Sequence, residues 1–305
     1  MKEKIIFIVG PTAIGKTGVA VFLAEKINAE IVSCDSMQVY KHMDIITSRP
    51  SRQLRNLVPH HLIDIISPEK TYDVYRYRKD ALCKIKEILN KGKVPIFVGG
   101  TGLYMSVLID GIFRLRSQNK NIRKKLSKQA ARFGSNYLYE RLKRQDPLAA
   151  SRIHPHDTKR IIRALEVYAI TGQPISKLQR QRKGLCDKYD IRIFCLNMER
   201  DKLYQRIEER VERMFKQGLV GQVKKLLQLK LSRTASCAIG IKELKGYFSG
   251  NYDLEQLQAL IKRNTRLYAK RQLIWFRKDK RIKWIEVSHK EKPEDIAKKI
   301  WKELS

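Results

Sequence analysis

The chain has 305 residues, of which 43% are hydrophobic, and carries a formal net charge of +33. This length allows one large domain with a smaller one attached, and this charge points to a polyanionic partner, with nucleic acid ahead of an anionic membrane. No stretch approaches the roughly 18 apolar residues of a membrane span, and the apolar start lacks a cleavage site, which excludes a signal peptide. The five cysteines are scattered without a CxxC pair, which argues against a disulfide framework and a structural zinc. We expect a soluble, cytoplasmic protein with reduced thiols.

The first hundred residues alternate short apolar strands with amphipathic helices. Strands are predicted at Lys4–Val9, Glu30–Cys34 and Val94–Val98, and helices at Lys16–Ile27 and about Val74–Asn90. This alternation is typical of a parallel sheet with helices on both faces. The sequence therefore predicts an α/β fold.

A basic segment interrupts this pattern. Between Phe113 and Lys183 there are 19 Lys or Arg against 4 Asp or Glu, with helical spacing and no convincing strand. The α/β pattern then resumes, with elements predicted at Ile191–Leu196 (strand), Arg200–Gln217 (helix), about Asp253–Arg277 (helix) and Ile282–Val287 (strand). We predict a core domain of residues 1–112 and 186–305 and a small all-helical insertion of residues 113–185 that binds RNA.

A phosphate-binding loop follows the first strand. Residues 10–17 fit G-x-x-x-x-G-K-[ST] at every required position, between an apolar strand and an amphipathic helix, a context that a plain glycine turn lacks. Backbone N–H groups and the helix N-terminus bind phosphate oxygens there. The predicted phosphate-binding residues are Gly10, Pro11, Thr12, Ala13, Ile14, Gly15, Lys16 and Thr17, with Lys16 neutralising a terminal phosphate and Thr17 placed to bind Mg²⁺. The loop alone leaves the reaction open, because ATP hydrolysis and phosphoryl transfer also use it.

Two polar residues stand where predicted parallel strands end. Asp35 follows the second strand and Thr101 follows Gly99-Gly100 after the third, and ligands bind beyond such strand ends. Asp35 fits a general base, a Mg²⁺ partner or the cap of a turn, and Thr101 fits a diphosphate contact or a helix N-cap. His60-His61 invites a metal interpretation, but adjacent histidines point in different directions. We interpret them as structural or substrate-loop residues.

Longer runs resemble the tRNA dimethylallyltransferases, also called tRNA isopentenyltransferases, over nearly the whole chain. The matching runs are Gly10–Thr17, Asp35–Asp44, Val58–Asp64, Gly99–Tyr104, Asp146–Pro155, Lys159–Tyr168 and Thr265–Arg277. The resemblance implies a P-loop NTPase-like core that transfers dimethylallyl from its diphosphate to N6 of adenine 37 in tRNAs reading codons that begin with U. It implies Mg²⁺ as cofactor, tRNA as partner and no membrane association, and we expect a monomer.

The resemblance also implies residue roles. Asp35 takes the proton of the acceptor amine, Thr101 contacts the bridging oxygen and Arg210 reaches the diphosphate. Arg206 is the other candidate on that helix face, and a solvated ion-pair helix is the alternative for both arginines. The predicted tRNA contacts are Asp35, Ser36, Met37, Gln38, Thr101, Arg123, Lys159, Arg160, Ile161, Ile162 and Arg163. The alternative for Met37 and Gln38 is a core or edge position, and the alternative for Arg123 is an ordinary surface charge. The basic C-terminal helix, with Tyr268, Trp275 and Phe276 interleaved, is a further candidate for charge and stacking on RNA. The alternative for Tyr268 and Trp275 is a core position, which is the interpretation that we favour.

The chain departs from the family pattern at four positions, and other functions compete. Ile14, Ile46 and Ile241 replace Ser, Gly and Tyr, and Arg49 replaces Lys, which puts the geometry of the donor loop in question. An isopentenyltransferase acting on free adenine nucleotide shares the core but has no use for a basic insertion. A P-loop nucleotide kinase gains no support from the runs around Asp35 and Thr101. A third alternative is a non-catalytic RNA-binding protein with a degenerate phosphate loop, which would bind tRNA and form no product.

Overall fold

The structure, a computed structural model, describes residues 2–113 and 120–304 and forms two compact units. The core unit comprises Met1–Ile109 and Leu185–Ser305, and the helical unit comprises Asp110–Gly184. The predicted insertion of residues 113–185 includes residues 114–119, which lie outside the described part of the chain.

The core unit is built on a six-stranded sheet in which every strand is parallel to its neighbours. The strand order is β3-β2-β4-β1-β5-β6. The strands are β1 Lys4–Val9, β2 Ala29–Ser33, β3 His60–His61, β4 Val94–Gly99, β5 Asp190–Asn197 and β6 Ile282–Glu286. The prediction of an α/β fold with a parallel sheet is confirmed. The two-residue strand β3 was not predicted, because so short a strand shows no alternation.

Helices cover both faces of this sheet. They are α1 Lys16–Lys26, α2 Asp44–Thr47, α3 Arg52–Leu57, α4 Val74–Asn90 and α5 Gly102–Ile109, and, after the helical unit, α10 Arg200–Lys216, α11 Leu219–Leu226, α12 Ile241–Phe248, α13 Leu254–Phe276 and α14 Pro293–Lys302. Among the described residues, no helix has the length and apolarity that crossing a membrane requires.

The central strand β1 shows why the core unit folds as a covered sheet. Its side chains alternate between two hydrophobic clusters, with Ile5, Phe7 and Val9 in one and Ile6 and Ile8 in the other, and each is at most 1% exposed. A strand buried on both faces reads as a continuous apolar run, as this one does. The carboxyl ends of β1, β2 and β4 therefore meet at one edge, where the loops that follow them lie side by side.

The helical unit has its own core. Its helices are α6 Lys120–Gln145, α7 Pro147–Ala150, α8 Thr158–Thr171 and α9 Ile175–Arg180, and α6 is interrupted at Gly134, whose φ of 81° is not helical. Leu138 and Leu142 of α6 pack with Leu165 of α8. The buried carboxylate of Asp146 accepts hydrogen bonds from the N–H groups of Ala149 and Ser176, both at 2.9 Å, which fixes the starts of α7 and α9. No strand occurs among the described residues of this unit, as expected.

Candidate active site

The loop between β1 and α1 has the backbone geometry of an anion site. Gly10 and Gly15 have φ of 144° and 94°, in the region that favours glycine, and a Cβ at Gly10 would come within 2.8 Å of the carbonyl oxygen of Leu196. Helix α1 begins at Lys16 without a side-chain cap, so its first N–H groups remain available for phosphate oxygens. Here the sequence motif and the local backbone agree.

Lys16 lies against this loop. Its Nζ donates hydrogen bonds to the carbonyl oxygens of Gly10 at 3.0 Å and Pro11 at 2.7 Å. Desolvation, together with the positive charge of Arg210, lowers the pKa of Lys16 to about 8, although Asp35 acts in the opposite direction. An anionic ligand here would stabilise the ammonium form, because an opposite charge nearby favours the charged state.

Asp35 lies just past β2. Its Oδ1 accepts a hydrogen bond from the backbone N–H of Met37 at 2.8 Å, which fixes the carboxylate in a local turn. The preceding residue, Cys34, is fully buried, and desolvation raises its pKa to about 12. At neutral pH the thiol is therefore uncharged, and the carboxylate of Asp35 is the available base at this strand end.

Thr101 connects the loop after β4 to the loop after β2. Its Oγ1 accepts a hydrogen bond from the N–H of Ser36 at 3.1 Å, and its own N–H donates to the carbonyl oxygen of Cys34 at 3.2 Å. A Cβ at Gly99 would collide with the backbone of Cys34, so the close approach of the two loops requires glycine there. The expected proximity of the two strand ends is observed.

Three arginines extend along α10 toward the same place. Arg206 donates hydrogen bonds to the carbonyl oxygens of Ile14 at 3.3 Å and His289 at 3.0 Å, which ties α10 to the phosphate loop. Desolvation, together with nearby Arg213, lowers the pKa of Arg210, and Asp35 opposes this shift. The side chains of Arg206, Arg210 and Arg213 therefore form a cationic wall.

These groups surround one cavity of about 820 Å³. The predicted residues that line it are Thr12, Ala13, Gly15, Lys16, Thr17, Asp35, Gln38 and Arg210, and Arg206 lines it too. Gly10, Pro11, Ile14, Ser36, Met37 and Thr101 are not lining residues. The volume lies in the range of small-molecule sites, and the walls combine cations with the carboxylates of Asp35, Asp44 and Glu209. Such a cavity can bind a phosphate ester and accept a proton beside it.

The sequence interpretation missed two lining residues on α13. Tyr268 lines the cavity, and burial, followed by the Asp35 carboxylate, raises the pKa of its phenol. Gln272 is 5% exposed, accepts a hydrogen bond from the N–H of Thr12 at 2.9 Å and donates one to the carbonyl oxygen of Gly100 at 2.8 Å. The interpretation of Tyr268 and Trp275 as core residues is wrong, because Tyr268 faces the cavity and Trp275 is 38% exposed.

The adjacent histidines have different surroundings. His61 contacts the buried carboxylate of Glu30, with Nε2 and Oε2 2.7 Å apart. His60 lines the cavity, and desolvation lowers its pKa, so its ring is neutral at pH 7. Because the Val58 carbonyl 2.7 Å from its Nδ1 can only accept, Nδ1 carries the proton and Nε2 has the lone pair.

Within residues 2–113 and 120–304, no group of three or more His, Cys, Asp or Glu is arranged to hold a metal.

The departures from the family pattern lie in or beside packed regions. Ile14, Ile46 and Ile241 are 0%, 6% and 4% exposed, and a Cβ at Gly240 would lie 3.2 Å from Cδ1 of Ile46. Arg49 forms ion pairs with Asp44 and Asp64 at the cavity wall. The three isoleucines are thus accommodated in the hydrophobic core of this chain.

The predicted tRNA contacts of the helical unit divide into three groups. Lys159 and Arg160 are exposed, and Arg160 forms an ion pair with Asp157 at 3.1 Å. Arg123 and Arg163 hold the buried carboxylate of Glu166, at 3.1 and 2.9 Å. Ile161 and Ile162 are 0% and 8% exposed in the core of the unit, so their side chains cannot contact RNA and that part of the prediction is corrected.

A different basic face of α6 is open to solvent. Lys124, Lys125, Lys128 and Arg132 line a groove of about 540 Å³ together with Phe133. Within the described part of the chain, none of these four cations has a carboxylate partner. These four cations are not distinguished in the sequence, since a charge count does not show which cations are already paired.

Comparisons with known proteins agree with the site. A family model described as IPP transferase matches residues 38–279, and one described as isopentenyl transferase matches residues 3–64. A tRNA dimethylallyltransferase of Carboxydothermus hydrogenoformans is 49% identical over 302 residues, which cover 98% of this chain and 97% of the relative. That of Thermotoga neapolitana is 46% identical over 305 residues, with coverage of 99% and 97%.

Solved structures give the same result. The full-length tRNA isopentenylpyrophosphate transferase of Bacillus halodurans has 39% identity and a TM-score of 0.73, covering 99% of this chain and 97% of that one. A eukaryotic dimethylallyltransferase acting on tRNA has 30% identity and a TM-score of 0.77, covering 93% of this chain and 74% of that one.

Proposed function

The chain belongs to the IPP transferase family, and on that premise we propose that it prenylates tRNA. It transfers the dimethylallyl group of dimethylallyl diphosphate to N6 of adenine 37, beside the anticodon, in tRNAs that read codons beginning with U. One observation carries this proposal: a single cavity brings together the phosphate loop with Lys16, the carboxylate of Asp35 and the guanidinium of Arg210. These groups match a diphosphate leaving group and an acceptor that must lose a proton.

The reaction makes one bond and breaks one. The lone pair of N6 attacks C1 of the allyl group, the C1–O bond breaks, and its electron pair leaves with the diphosphate. N6 loses one of its two protons, which Asp35 accepts. Because the amine lone pair is delocalised into the adenine ring, N6 is a weak nucleophile, and a positioned base beside it lowers the barrier.

The second task of the site is to stabilise the leaving group. As the C1–O bond lengthens, negative charge grows on the bridging oxygen, and preorganised donors there stabilise the transition state. The backbone N–H groups of residues 10–17, Lys16 and Arg210 supply positive charge to the diphosphate. Thr101 supplies a hydroxyl: its Oγ1 accepts from Ser36 N–H, and a ligand oxygen would draw its proton away from the neighbouring oxygens of Ser36 and Tyr268.

Mg²⁺ is the proposed cofactor. The Thr17 hydroxyl lines the cavity at the phosphate loop, and an oxygen ligand in this position suits Mg²⁺. Mg²⁺ at phosphates keeps several waters and takes few protein ligands, so this small donor set fits. When bound, it neutralises charge on the departing diphosphate.

The tRNA partner requires a basic surface outside the cavity. The open cations of α6 provide one in the helical unit, and exposed Lys159 and Arg160 provide another. In the core unit, Arg263, Lys270, Arg271 and Lys278 are exposed along α13 and its end, without carboxylate partners among the described residues. Such cations bind phosphates and contribute affinity independent of sequence. We also propose that the protein acts in the cytoplasm as a monomer.

The acceptor distinguishes this function from its rivals. The protein is incubated with Mg²⁺, dimethylallyl diphosphate and unmodified tRNA with adenine at positions 36–38, and the nucleosides are analysed by mass. The same tRNA with guanine at position 37, and free AMP, serve as control acceptors. We expect N6-dimethylallyladenosine in the first tRNA alone.

Each alternative result identifies a different protein. Product with AMP and none with tRNA would identify an enzyme of free adenine nucleotides. Salt-sensitive tRNA binding without any product would identify a non-catalytic RNA-binding protein.

A further inference from the structure

Helix α13 lies unusually close to the loop that follows β4. A Cβ at Gly100 would collide with the side-chain amide of Gln272, and a Cβ at Gly102 would collide with the indole of Trp275. Both glycines therefore leave room for this one helix, on either side of Thr101. The position of Thr101 is thus set in part by α13.

The amide of Gln272 joins two loops of the cavity. Its Nε2 donates to the carbonyl oxygen of Gly100 at 2.8 Å, and its Oε1 accepts from the N–H of Thr12 at 2.9 Å. Gly100 directly precedes Thr101, and Thr12 belongs to the phosphate loop. One buried side chain, 5% exposed, therefore links the loop that holds the diphosphate to the loop that carries Thr101.

The chemistry of this link needs an amide of this length. A carboxylate can accept from Thr12 N–H but repels the carbonyl of Gly100, and a thioether satisfies neither backbone group. A shorter amide keeps both functions without reaching both loops. Burial strengthens these preferences, because a backbone group left unpaired out of water is destabilising.

We propose that Gln272 is a positioning residue that sets the separation between the phosphate loop and Thr101. This inference rests on the proposed function. Gln272 acts through the two loops, since both ends of its amide are occupied by backbone groups. It keeps the bridging oxygen of a diphosphate held in the phosphate loop within reach of the Thr101 hydroxyl.

The experiment compares three variants of the full-length protein: Gln272→Met, Gln272→Asn and Gln272→Glu. Each is assayed for kcat, for KM of tRNA and of dimethylallyl diphosphate, and for melting temperature. We expect kcat to fall about 10- to 100-fold in all three at neutral pH, because misplacement by about 1 Å costs that much. KM for tRNA stays within about twofold, since the RNA-binding surfaces are untouched.

The Gln272→Glu variant adds a test that lost stability alone cannot imitate. When its introduced carboxyl is protonated, it can donate to Gly100 and still accept from Thr12, and burial beside a carbonyl favours this protonated form. We therefore expect the ratio of variant to wild-type kcat to rise as pH falls from about 8 to about 6. The Gln272→Met variant should show no such recovery.

Thr265→Val is the matched control. Thr265 is also buried on α13, at 8% exposed, and its Oγ1 donates to the carbonyl oxygen of Ile261 at 2.8 Å within the same helix. Its replacement removes a buried hydrogen bond without touching either loop, so it should lower the melting temperature and leave kcat unchanged. Wild-type kcat in the three Gln272 variants, with losses of stability like that of the control, would overturn the positioning role.

The outcomes separate this inference from the proposed function. Absence of prenylated product with the wild-type protein would overturn the proposed function and this inference with it. Product from the wild-type protein, with Gln272→Glu lacking any pH-dependent recovery and Gln272→Asn as active as wild type, would overturn the inference alone. Should Gln272→Met fail to fold, the Asn and Glu variants decide.

Discussion

Oγ1 of Thr101 accepts a hydrogen bond from the backbone N–H of Ser36 at 3.1 Å. This contact crosses from the end of β4 to the end of β2 and fixes the hydroxyl next to the residue that follows Asp35. The alternative use of the hydroxyl proton, a contact with Oγ of Ser36 at 3.4 Å, is long and weak. The phenol of Tyr268 also hydrogen-bonds to Thr101, so a ligand oxygen would take this proton over from an existing partner.

Replacing Thr101 with valine should slow prenyl transfer. The variant keeps the shape of the side chain but removes the proton donor and the acceptor of Ser36 N–H, and loss of one such donor costs about 100- to 1,000-fold in kcat. Thr101→Ser keeps the hydroxyl and is the matched control, expected within about fivefold of wild type. Single-turnover rates with saturating tRNA measure the effect. A valine variant as fast as the serine variant would show that the hydroxyl does not act on the leaving group.

Asp35→Asn should leave tRNA binding near normal and slow the chemical step. The amide keeps an oxygen that can accept from Met37 N–H but cannot take the proton of N6, and loss of a general base costs about 100- to 10,000-fold. Asp187→Asn, an exposed change outside the cavity, is the control and should behave as wild type. Filter binding gives the Kd for tRNA and quenched-flow assays give the rate. An unchanged rate in Asp35→Asn would remove Asp35 from the role of base.

The pKa of Lys16, lowered to about 8, predicts a pH dependence of donor binding. The diphosphate prefers the ammonium form, so binding near pH 8 should take up protons, and the Kd for dimethylallyl diphosphate should rise up to about tenfold per pH unit above that value. Calorimetry in two buffers with different ionisation enthalpies measures the uptake. Lys16→Arg keeps a permanent charge and should lose this part of the pH dependence. Equal proton uptake by the wild-type and Lys16→Arg proteins would show that another group takes up the proton.

The same shift affects the stability of the free protein. Lys16 has a folded-state pKa below its ordinary value of 10.5, so the unfolded chain binds more protons between about pH 8 and 10.5. The contribution of Lys16 to the free energy of unfolding therefore increases as pH rises through this window, which stabilises the folded state. Denaturant unfolding of wild type and Lys16→Met across the window should diverge in that direction. Parallel pH dependences of the two proteins would contradict it.

The sequence located the parts of the site that are coded locally. The phosphate loop is contiguous, and Asp35 and Thr101 follow apolar strands whose ends must meet in a parallel sheet. Gln272 escaped notice because its partners, Thr12 and Gly100, are backbone groups 260 and 172 residues away along the chain. A basic run gives no sign that one amide within it spans two distant loops.

The fold shows the same division. Strand β1 was predicted at the observed residues because its apolar run is uninterrupted, whereas β3 is too short to carry a pattern. In the helical unit, the count of basic residues predicted a cationic surface without showing that Glu166 is buried. Only packing reveals that Arg123 and Arg163 hold that carboxylate. Pairing between distant charges leaves no periodic signal in a single sequence.

The helical unit thus contains two kinds of basic residue, those in ion pairs with Glu166 and those of α6 without a carboxylate partner among the described residues. Variants of each kind test this distinction. Lys124→Ala and Lys128→Ala remove open cations, so each should weaken tRNA binding and lower the slope of log Kd against log salt by about 0.7 to 0.9, with little change in stability. Arg163→Ala instead removes one of the two arginines that pair with the buried carboxylate of Glu166. It should cost about 1 kcal/mol of unfolding free energy while Arg123 still holds Glu166. Salt titrations of tRNA binding and urea unfolding measure both quantities. A salt slope that changed for Arg163→Ala and not for the two lysines would show that Arg163 contacts phosphate and would contradict the division into open and paired cations.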